Sequence, residues 1–159
     1  MGGTKKDKRL ATAPKAAYLW ALCSKVVREA DDYTCRKCGR QWRDEPGGLD
    51  GAHCVGRTKG IVKYVYVNVL SLCKVPCHGW FDSLSGMDHN DWVCEQIGEE
   101  AYEELKIQAR GLSHRKAADN RELVVKFKAD VKFLESCRRF GDVGSLRQLL
   151  KEHENDLHT

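Results

Sequence analysis

No apolar run in this 159-residue chain approaches the ~20 residues that cross a bilayer. The start, MGGTKKDKRL, has no signal-peptide core, and Lys6 stands where a myristoylation pattern needs Ser or Thr. A membrane protein is therefore not expected, and the chain reads as cytoplasmic. Proline is scarce: of three, Pro14 and Pro76 are placed where a helix opens. There is no internal repeat and no low-complexity segment, which argues against a repeat array. Also missing is a helix rich in Arg, Asn and Gln, as a reader of base sequence would carry.

Charge is present in both signs but unevenly placed. Residues 1–80 hold 15 Lys and Arg against 7 Asp and Glu, whereas residues 81–159 hold 12 against 16. A basic half followed by an acidic half assigns any polyanion contact to the first half. The eight cysteines, in a chain without a secretion signal, point to metal rather than to disulfides.

Residues 1–13 read as a flexible basic tail, residues 14–85 as a core domain and residues 86–159 as a helical extension. From Pro14 to about Ala30, Leu19, Leu22, Val26, Val27 and Ala30 share one helical face. LDGAHCV is expected as a short strand, GRTKG as a loop, and KYVYVNVLSL as the best strand by β-branched and aromatic content. A short helix is expected over 76–84. DWVCEQIGEEAYEELKIQARG is expected to be helical up to Gly111. A further helix is expected up to Gly141, a suitable C-cap, and SLRQLLKEHENDL is a last short helix. The fold class is α+β.

Cys35 and Cys38 form a C-x2-C pair, and Cys73 and Cys77 a C-x3-C pair. Two short knuckles separated by a loop are the usual source of four thiolates for a structural zinc. Cys23, Cys94 and Cys137 lie on or near apolar helix faces and read as small hydrophobes. Cys54 adjoins His53, but strand alternation sends neighbours to opposite sides. Between the knuckles stands a lone histidine, His53, with three readings: a zinc ligand, a satisfied core histidine or a catalytic base. The third fits the surrounding residues best. His89, His114, His153 and His158 read as solvated.

YTCRKCGR, LDGAHCVGR and VNVLSLCKVPCHGWF together resemble the HNH, or His-Me finger, endonucleases. The similarity is greatest to small phage HNH proteins and to recombination endonucleases of the Rap/NinG type, over roughly residues 18–82. The resemblance implies a zinc-stapled ββα-metal core that hydrolyses DNA phosphodiesters, in the host cytoplasm if phage-encoded. It implies His53 as general base, Asn68 as brace of the loop that orients it, and His78 as ligand of a catalytic Mg²⁺ or Mn²⁺. Cys35, Cys38, Cys73 and Cys77 would hold the structural Zn²⁺. Many such enzymes carry an acidic ligand just before the base; here Ala52 stands there, and Asp50 is the nearest carboxylate. His78 also has a reading as an alternative zinc ligand to Cys77, and Asn68 as a turn residue. Arg57, Lys59 and Lys63, in the loop after His53, are the expected phosphate contacts. The expected partner is DNA, branched or junction DNA by analogy. The helix after residue 115 reads as a packing face, or else as an arm for a homodimer or a phage recombination or packaging protein. The other class of function is a non-catalytic zinc ribbon.

Overall fold

The computed structural model describes residues 14–56, 60–111, 117–141 and 145–156. Among these the fold is α+β, with six α-helices and one two-stranded antiparallel sheet. α1 is Ala16–Ala30, β1 Leu49–His53 and β2 Val69–Cys73. α2 is Gly79–Ser83, α3 Gly86–Ile97, α4 Glu99–Ala109, α5 Ala117–Arg139 and α6 Leu146–Asp156. No helix among the described residues is long and apolar enough to cross a membrane.

The hairpin is the middle layer. β1 and β2 pair with Leu49 opposite Cys73 and His53 opposite Val69. On one face lie α1, α5 and α6, which bury Leu19, Val26, Phe127, Leu134 and Leu150 together with Tyr66 and Val69. On the other face, Ala52, Leu70 and Leu72 pack with Phe81, Val93 and Tyr102 of α2, α3 and α4. With helices on both faces, every residue of β2 is buried, so VLSLC reads as a continuous apolar run rather than an alternating one. Helices α5 and α6 thus share one hydrophobic cluster with α1. Cys23 is buried in that cluster and Cys137 lies against it, while Cys94 borders the other.

Three boundaries differ from the sequence reading. β2 starts at Val69, because Tyr66–Asn68 forms a 3-10 turn and Tyr66 donates a 2.5 Å hydrogen bond to the buried Asp130 of α5. A side chain held across the fold outweighs the β-propensity of KYVYV. The helical stretch from Trp92 to Ala109 breaks at Gly98, whose φ of 87° suits glycine and closes α3. Pro76 does not open a helix: Lys74–His78 makes a wide turn kinked at Val75, its Val75–Pro76 bond is cis, and α2 starts at Gly79. Gly141 does adopt a left-handed φ of 76° after α5.

A deeply placed ion pair joins the layers. Arg147 of α6 donates to Asp31 at the end of α1, at 2.7 Å from Nη2, and the same nitrogen donates to the Val69 carbonyl at 2.8 Å. Asp31 also accepts the Ser71 backbone N–H at 3.2 Å. Burial works against the charge on Arg147, yet Asp31 outweighs it and holds the guanidinium pKa above its usual value.

Candidate metal centre and histidine site

Local backbone geometry brings the first knuckle into place. The Gly39 N–H donates to the Cys35 carbonyl at 2.9 Å, and Gly39 has a φ of 73° that a side chain would disfavour. Thr34 bridges Gln41 across the loop. The Arg36 N–H then donates to the Ser71 carbonyl at 2.9 Å, which lays the knuckle beside β2. The second knuckle starts where β2 ends.

The result is one cluster. The sulfurs of Cys35, Cys38, Cys73 and Cys77 all lie within 4.8 Å of one another, with Cys38 Sγ 3.5 Å from Cys73 Sγ. Sulfurs around a tetrahedral zinc sit about 3.8 Å apart, as bond lengths near 2.3 Å require. All four cysteines are free thiols. This four-cysteine group can hold a structural metal such as zinc, and among the described residues it is the metal-ready group. Burial opposes ionisation of Cys35, but backbone N–H groups of Cys38, Cys73 and Lys37 bring its pKa down to about 7. Burial and the neighbouring sulfurs push Cys77 up to about 12, and burial raises Cys73. Cys54 lies outside the group, and burial pushes it up to about 12.

Trp42, which the sequence reading passed over, supports the cluster. Its indole N–H donates to Cys73 Sγ at 3.1 Å. Gly48 is what lets it lie there, since a Cβ at that position would come within 2.0 Å of the Trp42 ring.

Beside the cluster, β1 presents two groups on opposite faces, because residues 50 and 53 differ by an odd number. His53, half-buried at the end of β1, stacks on Trp20 of α1 with ring centroids 4.5 Å apart. Its Nε2 lies 3.0 Å from the Lys63 carbonyl. A carbonyl only accepts, so Nε2 carries the proton in this bond and the imidazole lone pair sits on Nδ1. On the other face, Asp50 Oδ2 lies 3.2 Å from His78 Nδ1, and Asp82 Oδ1 lies 3.7 Å from His78 Nε2. Asp82 follows His78 by four residues, a helical spacing visible in HGWFD.

Asn68 is fully buried and spans the loop after His53. Its Oδ1 accepts the Val55 N–H at 2.7 Å, and its Nδ2 donates to the carbonyls of Val55 and Val62 at 3.1 and 3.0 Å.

No known protein family, curated protein or solved structure matches the chain.

The placement of the expected residues is therefore as follows. The four knuckle cysteines come together, His78 meets Asp50, and Asn68 closes the loop that follows His53. Lys63 stands in that loop with its ammonium 5.4 Å from the Tyr64 ring centroid. Arg57 and Lys59 lie outside the described residues, as do His114, His158 and the tail 1–13. His89 and His153 are not simply solvated as expected: they pack on Phe81 and Phe133, with centroids 5.0 and 4.1 Å apart.

Proposed function

We propose that this chain is a metal-dependent HNH-type endonuclease that hydrolyses DNA phosphodiester bonds, with branched or recombination-intermediate DNA as the narrower substrate. The observation that carries the reading is the pairing of a hairpin and helix, clamped by four cysteines, with His53 on one strand face and His78 beside Asp50 on the other. Hydrolysis needs a water deprotonated on one side of the phosphorus and charge neutralised around the phosphate.

His53 takes the water's proton at Nδ1. The bond from Nε2 to the Lys63 carbonyl fixes the tautomer, and Trp20 fixes the plane of the ring. Asn68 bonds Val55 and Val62, the latter next to Lys63, whose carbonyl supplies this support. On the opposite face the pair of Asp50 and His78 Nδ1 offers a hard carboxylate oxygen and an imidazole suited to Mg²⁺ or Mn²⁺, while Asp82, at the other ring nitrogen, orients the imidazole. Such an ion, when bound, neutralises phosphate charge and stabilises the leaving oxygen. Asp50 shares its strand face with Ala52, so it offers a carboxylate on the side where many HNH enzymes carry their acidic ligand. Lys63, together with Arg57 and Lys59, is assigned to phosphate contact.

Nicking of supercoiled plasmid with Mg²⁺ or Mn²⁺, suppressed by EDTA, is the direct test. His53→Ala abolishes nicking while zinc content, circular dichroism and DNA binding stay near wild type. Unchanged cleavage, or a protein that no longer folds, rejects the base assignment.

A second reading is a non-catalytic zinc ribbon that binds nucleic acid or acts as an adaptor. What favours it is that the His53 ring, stacked on Trp20 and bonded to a backbone carbonyl, is satisfied as a structural histidine would be. Wild-type protein that binds DNA but never nicks it, with either cation, selects this reading.

A further inference from the structure

We propose that the two cysteine knuckles form a second DNA-contact surface beside the hydrolytic residues, which it joins through the Lys74–His78 turn. In it Lys37, Arg40 and Lys74 grip phosphates, and the Val75–Pro76 tip packs against unstacked bases at a branch point. The proposal rests on the endonuclease reading and adds to it the part of the chain that selects branched substrate.

Five cations flank the four sulfurs, and the fold uses two of them. Arg36 is spent on Asp31 at 3.7 Å and on the Gln96 carbonyl at 2.9 Å, and Arg43 is spent on Asp32. Lys37, Arg40 and Lys74 are exposed and make no ion pair with the described residues. Two of these three are nevertheless held in place. Lys37 Nζ sits 4.4 Å above the Trp80 ring, and the Arg40 guanidinium 3.8 Å above Trp42, the residue that donates to Cys73. A free surface lysine or arginine loses rotamer entropy on gripping a phosphate; cations already resting on indole rings lose less. Each of the three adjoins or lies two residues from a cysteine of the cluster, so all three surround one anchored point.

The tip between them is apolar. Val75 is 81% exposed although its neighbours Cys73 and Cys77 are each only 2% exposed. A hydrophobe projected from a pinned loop and flanked by cations fits a wedge against base faces that have lost a stacking neighbour. Continuous duplex offers few such faces, whereas a junction offers several. Polyanion grip and apolar wedge together would favour branched DNA without a base-reading helix.

The test uses zinc-loaded full-length protein in magnesium-free buffer, with fluorescently labelled four-way junction and linear duplex, titrated by anisotropy at several salt concentrations. The triple variant Lys37→Gln, Arg40→Gln, Lys74→Gln is expected to weaken junction binding about 10- to 100-fold near 0.1 M salt and to flatten the salt slope by about 2.5–3. Val75→Ser is expected to weaken junction binding about tenfold, as loss of one buried valine contact implies, and to leave linear duplex unchanged. Should the triple variant lose zinc, Lys74→Gln alone decides the matter through a slope change of about 0.9. Variants that keep their zinc and bind with wild-type affinity and slope overturn the proposal. When the wild type still nicks DNA in that case, only the knuckle surface is lost; a wild type that neither binds nor nicks any DNA removes the endonuclease reading and this proposal together.

Discussion

Asn68 holds both backbone polar groups of Val55, accepting from its N–H at 2.7 Å and donating to its carbonyl at 3.1 Å. One side chain thereby stands in for a strand partner just beyond the end of β1. Asn68→Ala leaves these groups and the Val62 carbonyl without their partner inside the protein. A loss of about 2 kcal/mol or more is expected in urea unfolding, since each stranded buried group costs about 1–3 kcal/mol. Asn68→Asp is expected to be worse, because a carboxylate would face two carbonyl oxygens. An unchanged unfolding midpoint for Asn68→Ala would show that the loop does not depend on this clamp.

The His78 cluster yields a titration. With a divalent cation held by Asp50 and His78, His78→Ala and Asp50→Asn are each expected to raise the Mn²⁺ concentration for half-maximal nicking about tenfold or more. His53→Ala is expected to remove cleavage at every Mn²⁺ concentration. The two histidines are thus separable by one assay, and identical metal curves for His78→Ala and wild type would remove His78 from the site.

Zinc affinity is expected to rise with pH. Metal binding displaces protons from the thiols, and Cys77, pushed up to about 12, gives up a proton at any neutral pH. Cys35 is the favourable partner, with its pKa lowered to about 7 from 9.0. Its contribution to the fold is complete above the unfolded value near 9 and is lost as pH falls through about 7. Competition with a chromogenic chelator should show zinc leaving faster at pH 6 than at pH 8. Trp42→Phe, which removes the N–H donor to Cys73, is expected to loosen zinc at both values.

Arg147→Leu leaves the buried Asp31 carboxylate with only the Arg36 guanidinium at 3.7 Å and the Ser71 N–H, and is expected to cost about 3 kcal/mol. Asp31→Asn combined with Arg147→Leu should recover part of that loss. A double variant no more stable than the single one in denaturant unfolding would mean that Arg147 acts through packing alone. The same contact predicts that a fragment ending after Ser85 unfolds, since α5 and α6 cover the α1 face.

The knuckle spacing and the helical periodicities were legible in the sequence because each is a local pattern. C-x2-C and C-x3-C bring each pair together within one turn, and Leu19, Val26 and Phe127 announce their faces by 3.6-residue spacing. What could not be read was set by contacts distant in sequence. Trp42 finds Cys73 from 31 residues away, Trp20 of α1 meets His53 of β1, and Tyr66 ends the predicted strand early by reaching Asp130 64 residues further on. Asp82 was the one miss with a local signal, four residues after His78 on a short helix.

The Asp31–Arg147 bridge spans 116 positions of the chain. During synthesis the carboxylate at the end of α1 emerges long before the guanidinium that neutralises it. Until α5 and α6 are made, α1 and the Val69 face of the hairpin lack the layer that covers them. Burial of that face is therefore complete only when α6 has been made, an ordering written into the placement of one charge pair.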